Sequence, residues 1–485
     1  MLGTLPEFVL HWAERTPDAP CVAEPETGLS LTYAAMAERI ASLRAELARR
    51  GVKRGDRIVV LADNSCAWVI AYIGAMAHGA IPAVAHTRLA AGDLAPALTH
   101  LDPTLVIGDP DYLTRLPDAF RNRGLETGAL MTLGQPRGFD GCEASPTDVG
   151  AICYTSGTTG APRGVVLGHD ALTKCALTYA HLFQAGPYSR TAVVCPLFHN
   201  TGYNDGLAHM LVAGGATELW RRFAPEPIAL GLADGRLTYL VAVPTIYSRM
   251  VETLAVLPRG RVAPWLGYGG APMPAPIAER VEALLPAARL VNLYGLSEAT
   301  ALTHYLPWLP IARDLSAIGI AAPGTADRIA ESGELQVDSP TVMRGYWNDP
   351  AATRAKMDGR WLRTGDVARR GEDGFLHLIG RLDELINRGG EKIAPFEVES
   401  AICAHADVIE AAVVGVPDRD LGEIPVAAIA TRPGGALDAR ALDDFLAERI
   451  ADFKRPRRVV FVEALPKNAN GKVLKEAVRL LFADK

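Results

Sequence analysis

Short apolar runs of strand length alternate with helical stretches along most of this chain, and no other feature restricts its fold as strongly. RIVVL (57–61), IPAVA (81–85), TLVIGD (104–109), AICYT (151–155), TAVVCP (191–196), TYLVAVP (238–244) and RLVNLYG (289–295) are the runs. Uniformly apolar strands are buried on both faces, which requires helices above and below the sheet, so the pattern predicts βαβ units and a largely parallel sheet. The clearest helix is Thr32 to Arg50, where Met36, Ile40, Leu43 and Leu47 fall three or four apart, Thr32 can cap the start and Gly51 supplies the stop. Further helices are expected near Trp68 to His78 and Asp93 to Thr99.

The texture changes after Gly380. RLDELINRGGEKIAPFEVESAI leads into IEAAVVGV and IPVAAIA, an amphipathic helix and the basic run KRPRR at 454–458. The expected architecture is α/β: a large N-terminal body over residues 1–382, with parallel-rich sheets and flanking helices, and a small α+β domain over 383–485. A length of 485 residues suits one large and one small domain. With 49% hydrophobic residues, 21% charged residues and a net charge of −6, the chain can build a core and lacks the basic excess of a sequence-independent nucleic-acid binder. Its seven cysteines are scattered, odd in number and free of CxxC pairs, and its eleven histidines show no metal-ligand spacing. The apolar stretch Trp68 to Ala85 is broken by His78, Gly79 and Pro82, and no secretory signal is read at the start. These features point to a cytoplasmic protein with neither membrane nor nucleic-acid partners.

The segment Tyr154-Thr-Ser-Gly-Thr-Thr-Gly-Ala-Pro-Arg-Gly164 follows a strand. Gly157, Gly160 and Gly164 let the backbone turn tightly, and Thr155, Ser156, Thr158 and Thr159 add hydroxyls, a composition suited to a polyphosphate, although an ordinary surface turn has similar residues. No Walker A pattern can be read in it. Tyr294-Gly-Leu-Ser-Glu-Ala-Thr300 presents Glu298 at a loop, where a carboxylate can hold Mg²⁺ on nucleotide phosphates; Ser297 would alternatively cap a helix. Asp366 in RTGD offers two oxygens to ribose hydroxyls, or is a turn aspartate. Arg381 and Asp383 place a cation and an acid in GRLD, and Lys472 follows a glycine in PKNANGK.

In this order, and together with LTYAAMAERIASLRAELARRGVKRGDRIVV, PLFHNTG (196–202), GYGGAPMP (267–274), RTGDVARRGEDGFLHLIGR, LINRGGEKIAPFEVE and PKNANGKVLK, these segments resemble the adenylate-forming superfamily of acyl-CoA synthetases, firefly-type luciferases and peptide-synthetase adenylation domains. The resemblance covers essentially the whole chain. It implies that a carboxylate attacks the α-phosphorus of MgATP to give an acyl-adenylate and pyrophosphate, after which a thiol displaces AMP. Carried over, Lys472 contacts the carboxylate and α-phosphate, and Glu298 with Thr155 holds Mg²⁺. The loop Thr155, Ser156, Gly157, Thr158, Thr159, Gly160 and Arg163 binds the outer phosphates. Gly269, Gly270, Ala271 and Pro272, with Tyr294, form the adenine slot, Gly295 and Ser297 also bind the nucleotide, Asp366 holds the ribose and Arg381 the ribose or phosphate edge. Asp383 is the hinge of a mobile small domain, and Gly389, Gly390, Glu391 and Lys392 line the thiol's tunnel. One departure is Arg163, where the family most often has lysine; arginine keeps the charge and adds a planar fork.

His199 stands where acyl-CoA synthetases commonly gate the acyl pocket and where peptide-synthetase domains usually have aspartate, which argues against an α-amino acid, although nearby Asp205 could compensate. Asn200, Thr201, Tyr203, Asn204 and, further on, His304 make a polar wall suited to a small polar or aromatic acid. The resemblance therefore implies an acid–CoA ligase using ATP, Mg²⁺ and CoA, working as a monomer or homodimer. Alternatives are a stand-alone enzyme loading a carrier-protein thiol, activation of an oxyanion such as nitrite for an amine, and an inactive nucleotide-binding relative.

Overall fold

A computed structural model describes residues 2–87, 91–134, 141–155, 163–257, 263–271, 273–308, 314–432, 437–467 and 473–483. Packing divides the chain into two compact units, residues 1–327 with 337–362, and residues 328–336 with 363–485. Asp383 lies inside the second unit, just past the strand Leu376–Arg381.

The first unit contains two large sheets. In one, Pro20–Glu24, Ala216–Leu219, Arg190–Val193, Tyr239–Ala242, Trp265–Gly269 and Arg289–Gly295 run parallel, with antiparallel strands added at both edges. In the other, Gly124–Glu126, Leu105–Gly108, Arg57–Leu61, Ile81–Val84 and Val149–Thr155 run parallel, and Arg163–Gly168 and Gly345–Tyr346 close one edge antiparallel. The helix Cys66–Ala77 is buried at every residue and packs on strands of both sheets, which is why its sequence is apolar all round instead of striped. Beside it lies Tyr33–Arg49, which buries Met36, Ile40, Leu43 and Leu47. Its cap is the one expected: Thr32 Oγ1 accepts from the Ala35 N–H at 3.2 Å, a contact typically worth about 1 kcal/mol.

In the second unit, Trp361–Arg370 pairs antiparallel with Leu376–Arg381. A separate sheet orders Glu391–Ile393, Ile386–Arg388, Gly422–Thr431 and Val408–Asp418, with Arg458–Val462 parallel to Gly422–Thr431. The helices Pro395–Cys403 and Ala439–Ala447 bury Val398, Ile402, Leu442 and Leu446 against Val413 and Ile429 of this sheet. Val478 of the helix Lys475–Leu480 and the following Phe482 pack with Val414 and Val426. Three of the four cations of the basic run pair within their own unit, Lys454 with Glu397, Arg455 with Asp443 and Asp452, and Arg457 with Asp452, while Arg458 donates to the Phe482 carbonyl. All seven cysteines are free; five are buried, Cys142 is half-buried and Cys403 is exposed. Among the described residues no helix is long and apolar enough to cross a membrane.

Candidate active site

The strands that flank the phosphate-loop segment, Val149–Thr155 and Arg163–Gly168, pair antiparallel with Tyr154 opposite Gly164 and Thr155 opposite Arg163. Ser156, Gly157, Thr158, Thr159 and Gly160 lie outside the described residues, as does the Thr155 side chain. Gly164 is closely packed, since a Cβ there would stand 3.0 Å from Ile152 Cγ2 and 3.2 Å from Trp347 Cβ. The Arg163 guanidinium sits 5.6 Å from the centre of the Tyr346 ring.

Tyr346 links this hairpin to Glu298. Its hydroxyl donates to Glu298 Oε1 at 2.6 Å, and burial, followed by the Glu298 charge, pushes that hydroxyl far up, so it stays a firm donor. The backbone on either side of Tyr346 fastens both partners: the Met343 N–H donates to the Glu298 carbonyl at 2.7 Å and the Trp347 N–H to the Gly164 carbonyl at 2.7 Å. Sequence reading missed Tyr346, which lies outside every motif quoted for the family.

The Glu298 loop follows the strand Arg289–Gly295 and is one 3₁₀ turn, Ser297–Ala299. A Cβ at Gly295 would stand 1.4 Å from the Ala301 carbonyl oxygen, so only glycine fits. Thr300 is held at φ +68°, a conformation rare for a β-branched residue. Its hydroxyl donates to the Thr341 carbonyl at 2.6 Å and its carbonyl accepts from Asn204 Nδ2 at 2.6 Å. Those two contacts fix the turn that displays Glu298.

Gly269 is buried at the end of the neighbouring strand, Trp265–Gly269, and Gly270 turns at φ +76° with Ala271 exposed beyond it. Pro272 lies outside the described residues. Tyr294 is half-buried, and its ring centre is 5.8 Å from that of His304. His304 is fully buried, with Nδ1 3.1 Å from Thr303 Oγ1 and Nε2 3.7 Å from Asp327 Oδ2.

The PLFHNTG segment divides in two. His199, Asn200 and Thr201 are half-buried, with the His199 ring 4.6 Å from Phe198 and 5.5 Å from His86. Tyr203 and Asn204 point inward: the Tyr203 hydroxyl is 2.7 Å from Cys153 Sγ, and Asn204 reaches the Thr300 carbonyl. Asn64, another residue that sequence reading missed, holds the segment from below. Its Nδ2 donates to the carbonyls of Cys195 and Trp220 at 3.0 and 3.1 Å, and its Oδ1 accepts from the Leu197 N–H at 2.8 Å. Asp205, next along, is buried, which pushes its carboxyl up to about 7; the Tyr179 hydroxyl opposes that shift.

In the second unit, Asp366 is registered opposite Arg381. Arg381 Nη1 lies 3.4 Å from Asp366 Oδ1, and its Nε lies 3.4 Å from Asp383 Oδ1, so the three residues expected to act on ribose and hinge are gathered around one guanidinium. Gly365, at φ +80°, donates its N–H to Glu334 Oε1 at 2.9 Å and sets the bend before Asp366. Gly389 and Gly390 form the two-residue turn between Ile386–Arg388 and Glu391–Ile393, both with φ above zero, at +60° and +96°. Glu391 and Lys392 follow it, exposed. Lys472 lies outside the described residues.

The chemistry of the first-unit donors suits a magnesium nucleotide. Glu298 offers a hard oxygen ligand, Ser297 stands beside it, and Arg163 brings a fixed positive charge within reach of the same tyrosine; magnesium takes few protein ligands and keeps waters and phosphates. The chain belongs to the AMP-binding enzyme family: it matches the family's main domain over residues 9–347 and the AMP-binding enzyme C-terminal domain over 397–472. It is 32% identical to a feruloyl-CoA synthase of an Amycolatopsis species, with 99% of both chains covered. It is 30% identical to an indoleacetate–CoA ligase of Aromatoleum aromaticum, covering 99% of this chain and 98% of that one. The ATP-bound crystal structure of MatB from Rhodopseudomonas palustris superposes with a TM-score of 0.90 at 27% identity, covering 100% of this chain and 99% of that chain.

Proposed function

We propose that this protein is an AMP-forming ligase that activates a small aromatic or polar carboxylic acid with ATP and passes the acyl group to CoA. The observation that carries this reading is the Arg163–Tyr346–Glu298 group, a cation and a metal-competent carboxylate joined through one tyrosine, in a chain whose full-length relatives bear acid–CoA ligase names. In the first step a carboxylate oxygen bonds to the α-phosphorus as the bond to the β-phosphate oxygen breaks, and pyrophosphate leaves. Charge grows on the phosphate oxygens, so fixed donors and cations supply most of the rate. Arg163 and the backbone of its hairpin loop take the outer phosphates, and Lys472 takes the α-phosphate and the attacking carboxylate. Glu298, with Thr155, would hold Mg²⁺, whose contribution is to neutralise phosphate charge. Tyr294 and the segment from Gly269 to Pro272 accommodate the base, and Asp366 with Arg381 takes the ribose. In the second step the CoA sulfur, arriving past Gly389 to Lys392, bonds to the acyl carbon and AMP leaves with the carboxylate oxygen. His199 gates the acid, and Asp383 is the hinge between the two steps.

The deciding experiment is AMP release over a panel of short, aromatic and fatty carboxylates plus nitrite, with and without CoA. Release with one acid class, stimulated by CoA and giving a thioester mass, is the expected result. Release indifferent to CoA, or seen only with nitrite, would replace this reading with carrier-protein loading or amine activation.

A further inference from the structure

The helix His169–Leu182 carries Lys174, Leu177, Thr178 and His181 at spacings of three and four, and the face they form borders a cavity of about 290 Å³. Leu177 is 42% exposed there, an apolar side chain left to water. The facing wall includes Thr325 and the run from Ser339 to Thr341. Among the described residues, no acidic side chain lines the cavity, and neither does any residue assigned above to nucleotide, acid or thiol.

Three hydroxyls of that wall form a directed chain. Ser339 Oγ accepts from Thr325 Oγ1 at 2.9 Å and from the Thr341 N–H at 3.3 Å, so its own hydrogen goes to Thr341 Oγ1 at 2.8 Å. Thr341 Oγ1 then keeps its hydrogen for an acceptor in the cavity. On the helix, the Thr178 hydroxyl is used on the Lys174 carbonyl at 2.9 Å. Lys174 Nζ stands 3.7 Å from Asp170 Oδ2, longer than a hydrogen bond, and Asp170 is shared with Arg344 at 3.3 Å, so the ammonium keeps donors for an anion.

We propose that this cavity is a second, regulatory site for a small aromatic carboxylate, and that its occupancy strengthens binding of the magnesium nucleotide. Its volume is about twice the ~150 Å³ of an apolar cavity that takes benzene, which leaves room for a ring and a carboxylate. The carboxylate would meet Thr341 Oγ1 and Lys174 Nζ, and the ring would cover Leu177 and Pro340, apolar surface that inorganic phosphate could not use. Thr341 supplies the coupling, because one end of it lines the cavity and the other holds the turn that displays Glu298. Its carbonyl accepts from the Thr300 hydroxyl at 2.6 Å, and Thr300, at φ +68°, is a strained residue that persists only while its surroundings hold it. Two residues further on, the Met343 N–H donates to the Glu298 carbonyl at 2.7 Å. A ligand that fixes Thr341 therefore favours the held turn, and by linkage the nucleotide favours the ligand by the same factor. The coupling rests on the ligase reading, in which Glu298 holds Mg²⁺; the site itself does not.

The test is equilibrium dialysis of benzoate against the full chain, with benzamide as the uncharged control. Leu177→Glu, which sets a negative charge on an exposed residue of the cavity, should remove one bound benzoate per chain. Lys174→Met and Thr341→Val should each weaken that benzoate about tenfold, the loss of one charge-assisted hydrogen bond, and they carry the test if Leu177→Glu fails to fold. Equal occupancy by benzamide, or a benzoate count and affinity unchanged by the substitutions, overturns the inference. Calorimetry with α,β-methylene-ATP and Mg²⁺ reads the coupling: saturating benzoate should raise nucleotide affinity about fivefold more in wild type than in Leu177→Glu, and equal gains overturn the regulatory role. A chain that releases no AMP with any acid of the panel above fails as a ligase, and the benzoate count still decides the site.

Discussion

Tyr346 occupies one oxygen of Glu298 and lies beneath Arg163, so the carboxylate that would hold the metal is oriented from one side only. Removing the hydroxyl should free the carboxylate to rotate without disturbing the ring under the arginine. Tyr346→Phe is therefore expected to weaken ATP binding about tenfold in the presence of Mg²⁺, a loss of the size of one charge-assisted hydrogen bond, and to leave binding of ATP without Mg²⁺ unchanged. Calorimetric titration under both conditions checks this; equal losses would assign the hydroxyl to the fold alone. Lys472 makes a harsher prediction. If it meets the α-phosphate, Lys472→Ala should lower adenylate formation by about 10² or more while leaving the melting temperature in place, because removal of a transition-state donor costs rate, not stability. Pyrophosphate release in single-turnover mixing reads the step directly, and a change within a few-fold would remove Lys472 from the chemistry.

Elements set by local pattern are legible in the sequence. Arg57–Leu61 and Arg289–Gly295 begin and end where the apolar runs do, and Tyr33–Arg49 begins at the threonine that caps it. The antiparallel strand Arg163–Gly168 was not read, because a glycine-rich loop followed by a short apolar run looks the same whether the chain goes on to a helix or first turns back. Asn64 and Tyr346 were missed for a related reason: their partners lie far along the chain, at Cys195, Leu197 and Trp220 for one and Glu298 for the other, and no short-range spacing encodes such a contact. Asn64 shows how much one element can depend on another. Its three hydrogen bonds pin the turn before His199, so Asn64→Ala strands two buried carbonyls and one N–H. The expected cost is about 3 kcal/mol or more in urea unfolding, accompanied by a rise in the KM for the acid greater than that for ATP. A variant that unfolds at the wild-type urea concentration would show that water replaces the amide.

At the scale of the whole molecule, a few buried titratable groups should govern stability on the acid side of neutrality. Burial holds His209 down at about 3 and His169 down at about 4, from an ordinary histidine value near 6.5. Both therefore stay neutral in the folded chain while the unfolded chain takes up protons, which makes their stabilisation complete above about pH 6.5 and progressively lost as the pH falls toward 4. Asp205 acts in the opposite sense. Its folded value near 7 lies above its unfolded value near 3.8, so the folded chain holds one proton that the unfolded chain has released, and its contribution is greatest at low pH and fades as the pH rises to 7. Between about pH 5 and 6 the two histidines outweigh the single aspartate, and unfolding should take up a net of about one proton. Asp205→Asn removes the opposing term, so the fall in stability with acidification should steepen toward about two protons, while His209→Leu should flatten it toward zero. Urea unfolding at several pH values in that window measures the slope independently of how much either substitution changes stability at neutral pH. Unaltered slopes in both variants would mean that His209 and Asp205 exchange protons with solvent in the folded chain as freely as in the unfolded one.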